Sequence, residues 1–193
     1  MLTQVQIKEK SNYTSRIIIL LAKANEEKLQ PQIKTEIISL FRALQTSTLP
    51  AGDKLDCLFP CLKPDATLTA AIALCNDHAL SVEYLTFIKE QLIANEENCV
   101  LSQNKLGDDF FSCFIMENNT VDDRVIQAYL DLIKIVLKNP KCDPLTTLQL
   151  LTHYNSTNPA EIALTLGMRI AALQSANALQ YYFDLLLDLH KNS

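Results

Sequence analysis

Three observations predict an all-α protein. Apolar residues recur at spacings of three and four almost throughout. No stretch alternates with period two for long enough to form a sheet. Only 3 glycines occur among 193 residues, too few for the many turns of a β-sandwich or barrel. With 48% hydrophobic and 20% charged residues, the chain has apolar content for one packed domain over residues 1–193 and is not composed like a disordered segment.

The helices follow from their stop and start signals. A first helix is expected from about Thr14 to Leu29. Pro31 then opens a second, carrying Ile33, Ile37, Phe41 and Leu44, since proline is tolerated in a first helical turn. Pro50, Ala51, Gly52 and Asp53 break the pattern before a short helix near Lys54 to Leu62, interrupted by Pro60. Asp65 caps another, with Leu68, Ile72 and Cys75 on its apolar stripe, and Ser81 is expected to cap the next, reaching Asn95. Between Asn95 and Asp109 the pattern is least regular, and it restarts at Phe110, Phe111, Phe114 and Ile115.

Thr120 with Asp123 resembles a capping box and introduces the expected longest helix, stopped by Pro140. Its apolar positions, from Val125 to Leu137, wrap beyond one stripe and leave Gln127, Asp131, Lys134 and Lys138 as a thin polar seam. Asp143/Pro144 and Asn158/Pro159 repeat one device, a capping side chain followed by proline at the first helical position. Two last helices, Pro159 to Leu173 and Ser175 to Lys191, have almost no linker between them. The total is about ten helices joined by short links, forming stacked antiparallel hairpins. The pairs match HEAT and armadillo units in length, with no repeat consensus, so a short curved α-solenoid and an irregular helical bundle both fit.

Net charge is −5, which disfavours direct nucleic-acid binding. Residues 1–42 hold seven Lys/Arg against four Asp/Glu, whereas residues 76–131 hold three against eleven; such an acidic middle suits a basic protein partner. The amino terminus lacks the apolar core of a secretory signal, and the run Ile17 to Ala22 is far shorter than a bilayer span. The 6 cysteines are therefore expected to be reduced, in the cytoplasm or nucleus, although sequons occur at Asn12, Asn118 and Asn155.

Two clusters carry possible chemistry. Cys57, Cys61, Cys75 and His78 form a CxxxC followed by a CxxH, the ligand types of tetrahedral zinc. Their positions on apolar helical stripes favour ordinary packing. Asp108/Asp109 and Asp122/Asp123 could hold magnesium against a phosphate-bearing substrate, but carboxylates at helix starts also offset the dipole without a metal. His78, His153 and His190 sit in no recognisable catalytic motif.

No cofactor or resident metal is expected, and no enzymatic activity. The reading is a non-catalytic helical module, an adaptor or scaffold subunit binding another protein or peptide, with Tyr181, Tyr182, Phe183 and Leu186 on the last helix as contact surface. The alternatives are a metal-dependent enzyme with an Asp-lined site and a homo-oligomeric structural protein.

Overall fold

A computed structural model of the chain describes residues 2–26, 31–58, 72, 75–94, 122–139, 170–171 and 175–192. Every extended regular element among them is an α-helix: α1 Gln4–Glu26, α2 Pro31–Thr46, α3 Ala51–Leu58, α4 His78–Ala94, α5 Asp123–Lys138 and α6 Ala176–Asn192. The all-α class holds. Six helices are described against the ten or so expected, and the segments expected to begin near Asp65, Phe110, Pro144 and Pro159 lie outside the described residues. The chain divides into two compact units, Met1–Asn95 and Glu96–Ser193.

In the first unit, α1 begins ten residues earlier than the periodicity suggests. The cause is a capping box in the apparently irregular amino end. Thr3 Oγ1 accepts the Gln6 backbone N–H at 3.2 Å, and Gln6 Oε1 accepts the Thr3 backbone N–H at 3.0 Å. Reciprocal bonds of this kind satisfy two donors that the first helical turn leaves open. At 23 residues α1 is longer than α5 at 16, which corrects the expectation that the helix ending near Lys138 is the longest.

Pro31 does occupy the first position of α2, whose buried side chains Ile33, Ile37, Leu40, Phe41 and Leu44 keep helical spacing. Helix α3 starts at Ala51 rather than Lys54, the Lys54 N–H closing the first turn on the Pro50 carbonyl at 3.0 Å. Proline and glycine at such a start remove little, because first-turn N–H groups have no intrahelical partner.

Helix α4 is capped by Asp77, not Ser81. The Asp77 carboxylate accepts the Leu80 N–H at 3.1 Å, while Ser81 is buried inside the helix and donates to the Asp77 carbonyl at 3.0 Å. Asn76 ahead of it has φ 48°, the left-handed conformation that asparagine tolerates better than most residues.

Packing follows these starts. Helix α1 lies against α2 and α3, and α3 against α4. Phe41 of α2 meets Tyr84 and Phe87 of α4 edge to face, with ring centroids 5.4 and 5.6 Å apart, a geometry that adds to the benefit of area burial. All three rings are buried, with Ile37, Leu40, Leu44, Leu58 and Ile88 also inaccessible. Polar side chains tie the same helices at their ends. Lys10 bridges Asp53 at 2.6 Å and Asp56 at 2.8 Å, Tyr13 donates to the Ala43 carbonyl at 3.1 Å, and Lys54 donates to the Gln45 carbonyl at 2.9 Å near the end of α2. Burial disfavours the Lys10 charge, but hydrogen bonds and attraction from both aspartates outweigh it and raise its pKa.

In the second unit, α5 packs against α6. The N-cap of α5 is Asp122, whose side chain accepts the Arg124 N–H at 2.8 Å; the expected cap Thr120 lies outside the described residues. Val125, Ile126, Tyr129, Leu130, Leu132, Ile133 and Val136 are all buried, the wide apolar face that the sequence pattern indicates. Ser175 caps α6, accepting the Ala178 N–H at 3.0 Å.

Two predictions concern the first unit. Phe41→Ala empties the junction of three rings and should destabilise that unit by about 3–5 kcal/mol in urea unfolding followed by circular dichroism. Asp77 ionises below its ordinary value of 3.8, chiefly because its carboxylate accepts the Leu80 N–H; burial opposes this and Lys34 assists it. A depressed carboxylate stabilises the fold above its unfolded pKa, and that contribution disappears as pH falls through the folded value. The stability advantage of wild type over Asp77→Asn should therefore be full near neutral pH and shrink below about pH 4.

Candidate functional site

Helix α6 shows how the expected contact residues are distributed. Ala178, Tyr182 and Leu185 recur at four and three residues and are buried against the unit's interior at 3%, 5% and 3% exposure. Tyr182 is thus part of the core. Tyr181 is half-buried and donates a short hydrogen bond from its hydroxyl to the Asp131 carboxylate of α5. Burial, followed by the hydrogen bond and charge of Asp131, pushes the Tyr181 phenol up to about 12. Leu186 is half-buried. Phe183 remains 50% exposed, and Leu187, one turn further on, is 54% exposed.

These two side chains form an apolar step on the outward side of α6. Tyr182 and Phe183 are adjacent in sequence, with rings 6.0 Å apart between centroids, yet one points into the unit and the other out of it. Acidic and polar groups border the step. Asp184 accepts from Gln180 at 2.9 Å, and Asp188 pairs with Lys134 of α5 at 3.2 Å. Leu187, which lies i+4 from Phe183 on the same helical stripe, is not among the contact residues expected from the sequence. What identifies it is its exposure beside Phe183, and exposure on a helix is set by its neighbours rather than by its own sequence.

The other candidates have separate surroundings. Cys57 and Cys75 are buried free thiols. The Cys57 thiol donates to the Lys10 carbonyl at 3.8 Å, and Thr14 Oγ1, which donates to the same carbonyl at 3.0 Å, lies 3.9 Å from the sulfur. Burial is the main cause raising both thiol pKa values, opposed at Cys57 by the Thr14 hydrogen bond and at Cys75 by the Lys34 charge. His78 stands at the first position of α4, and Cys61 lies outside the described residues. Among the described residues no group of three or more metal-ligating side chains is assembled.

Of the four aspartates weighed as magnesium ligands, Asp108 and Asp109 lie outside the described residues. Asp122 caps α5 and clasps Arg124, whose Nε and Nη2 approach it at 2.9 and 2.5 Å. Asp123 is exposed in the first turn. Asp122 thus satisfies a first-turn N–H, and Asp123 places a second negative charge at the same helix start. His153 is also outside the described residues.

The acidic stretch 76–131 is partly neutralised where it is described. Asp77 faces Lys34 at 3.5 Å, Glu83 faces Arg42 at 3.2 Å, and Asp122 holds Arg124. These pairs spend carboxylates on local structure.

No family model matches the chain, and no curated protein or solved structure shows significant similarity to it. Among the described residues no helix is long and apolar enough to cross a membrane.

Burial and raised pKa together make Cys57 and Cys75 poor nucleophiles at neutral pH. Alkylation with iodoacetamide, followed by peptide mass spectrometry, should modify these two positions at least about tenfold more slowly in the native chain than in urea. Equal rates in both conditions would show that the thiols are accessible without opening the unit.

Proposed function

We propose that this chain is a non-catalytic helical interaction module, an adaptor or scaffold subunit that presents a helix face to another protein. The observation that carries this reading is the outward step of Phe183 and Leu187 on α6, half exposed beside a buried core line on the same helix. Aromatic side chains in such positions bring large contact area at low entropic cost when a partner covers them. Tyr182 and Leu185 belong to the platform, because their burial fixes which way α6 faces. Tyr181 helps in the same way by tying α6 to Asp131 of α5.

In this reading the partner surface is formed by Phe183 and Leu187 with the half-buried Tyr181 and Leu186 at its margin, and the helices beneath stack as antiparallel hairpins in a short solenoid or an irregular bundle. A cytoplasmic or nuclear setting belongs to the same proposal, supported by the free thiols of Cys57 and Cys75.

The test begins with purification of the full chain from cells that express it, identification of the bound protein, and measurement of the affinity of the purified pair. Phe183→Ser combined with Leu187→Ser should weaken that affinity by at least about tenfold, the loss expected when two central apolar contacts go, while leaving helicity and Tm near those of wild type. Tyr182→Ala should instead lower Tm. Unchanged affinity in the double variant would remove α6 as the contact surface. A concentration-dependent dimer disrupted by the same variant would assign the face to a second copy of the chain.

A further inference from the structure

The outward side of α1 combines exposed aliphatic side chains with an excess of positive charge among its described residues. Val5 and Ile19 are 76% and 55% exposed on one stripe of the helix, while Ile7 and Ile18, at 55% and 38%, lie on a separate stripe that starts about 200° around the helix from Val5. Lys8, Arg16 and Lys23 are exposed on the side of Val5 and Ile19 and form no ion pair among the described residues. The opposite side of α1, with Ile17 and Leu20, is buried in the first unit. One carboxylate, the half-buried Glu9, stands seven residues before Arg16 on the same flank. Glu9 accepts from the Thr48 hydroxyl at 3.3 Å, and Asp53 and Asp56 are held by Lys10 on the packed side. The result is a strip whose three exposed cations outnumber its one half-buried carboxylate, Glu9, among the described side chains.

The spacing specifies the shape of what would lie there. Val5, Asn12 and Ile19 recur every seven residues, the interval that keeps one line of a helix against a second helix along its length. Arg16 and Lys23, also seven apart, flank that line as charged residues flank a coiled-coil seam. From Val5 to Ile19 the line runs about 21 Å at 1.5 Å per residue, and Asn12 at its centre is the kind of polar insertion that fixes register between two helices. Ser11, Asn12 and Ser15 interrupt the apolar surface, whereas a helix lying in a membrane interface needs that surface continuous. Three cations spread over the whole helix with no aromatic side chain among them are also a poor track for nucleic acid.

We infer that the outward face of α1 docks an acidic amphipathic helix of another protein, with aliphatic residues of that helix seated on Val5 and Ile19 and its carboxylates opposite Lys8, Arg16 and Lys23. The inference rests on the interaction-module reading and adds a second contact surface, of defined charge, to it.

The test uses the full chain and a fluorescent synthetic helix of three heptads with leucine along its seam and glutamate in the flanking positions, read by fluorescence anisotropy. A companion peptide carries lysine in place of every glutamate. The acidic peptide should bind, should lose at least about tenfold in affinity between low and moderate salt as screening demands, and should outcompete the lysine peptide. Combined Lys8→Glu, Arg16→Glu and Lys23→Glu should reverse that preference without lowering Tm, since all three side chains are exposed. Ile19→Ser should weaken binding to the acidic peptide at either salt concentration.

Equal binding of both peptides, absence of binding by the acidic one, or stronger association with phosphatidylserine vesicles than with the acidic peptide would each overturn the inference. Failure here is separable from failure of the module itself. If the natural partner still depends on Phe183 and Leu187 while the acidic peptide does not bind, only the α1 surface is lost.

Discussion

Burial of Phe41 between Tyr84 and Phe87 is the interaction around which the first unit is organised. The apolar stripe of α2 cannot be covered by α1 alone, because Ile33, Ile37, Leu40, Phe41 and Leu44 sweep across more surface than one neighbouring helix can hide. Edge-to-face contact with two rings of α4 closes the remainder. Once α4 is held there, Lys54 of α3 reaches both the Gln45 carbonyl and the neighbourhood of the Phe87 ring, 5.9 Å from its centroid. Helix α3 is then fixed against α4, and Asp53 and Asp56 on it come within reach of Lys10 on α1. The polar contacts are consequences of the aromatic junction. Ion pairs that are partly exposed contribute little by themselves, so their value lies in selecting one angle for α1 among several that apolar packing would accept.

The fold class was legible because helical periodicity survives every local irregularity. Pro31 at the start of α2 and Ser175 before α6 were readable for a more specific reason, that each residue type has one favoured place in a helix. Starts that were misplaced share a different cause. Thr3 with Gln6, Asp77 and Asp122 act through polar side chains, and Ser81 and Thr120, near the last two, carry the same capping chemistry, so residue type alone does not select which one closes the first turn. Ser81 illustrates this. It is a residue with good capping chemistry that lies buried in a helix already started by Asp77.

The candidate surface was legible only in part, and α6 shows why. A helix rich in apolar residues declares that it has a buried side but not which side, since that depends on the position of α5. Tyr182 and Phe183 are similar in size and adjacent, and no property of either decides which is covered. Contact with the α5 core and the tie from Tyr181 to Asp131 set the rotation of α6. Phe183 and Leu187 are exposed as a result. The same logic accounts for the aspartate pair at Asp122 and Asp123. Spacing alone allowed a metal-binding role, whereas the observed hydrogen bonds spend Asp122 on the first turn of α5 and on Arg124.

Charge tells the two candidate surfaces apart. Around Phe183 and Leu187 the ionised groups are engaged locally, Asp188 with Lys134 and Asp184 with Gln180, so a partner would meet an apolar step whose borders are already satisfied. Recognition there depends chiefly on shape and buried area. On the outward side of α1, Lys8, Arg16 and Lys23 form no ion pair among the described residues, and desolvating them under a purely apolar surface would be costly. A partner for α1 must therefore bring carboxylates, whereas a partner for α6 need not. Electrostatic pairing of the first kind sets register and association rate, and apolar burial of the second kind sets lifetime. If both proposed surfaces are contacts, binding at α1 should therefore be the more sensitive to salt and binding at α6 the less.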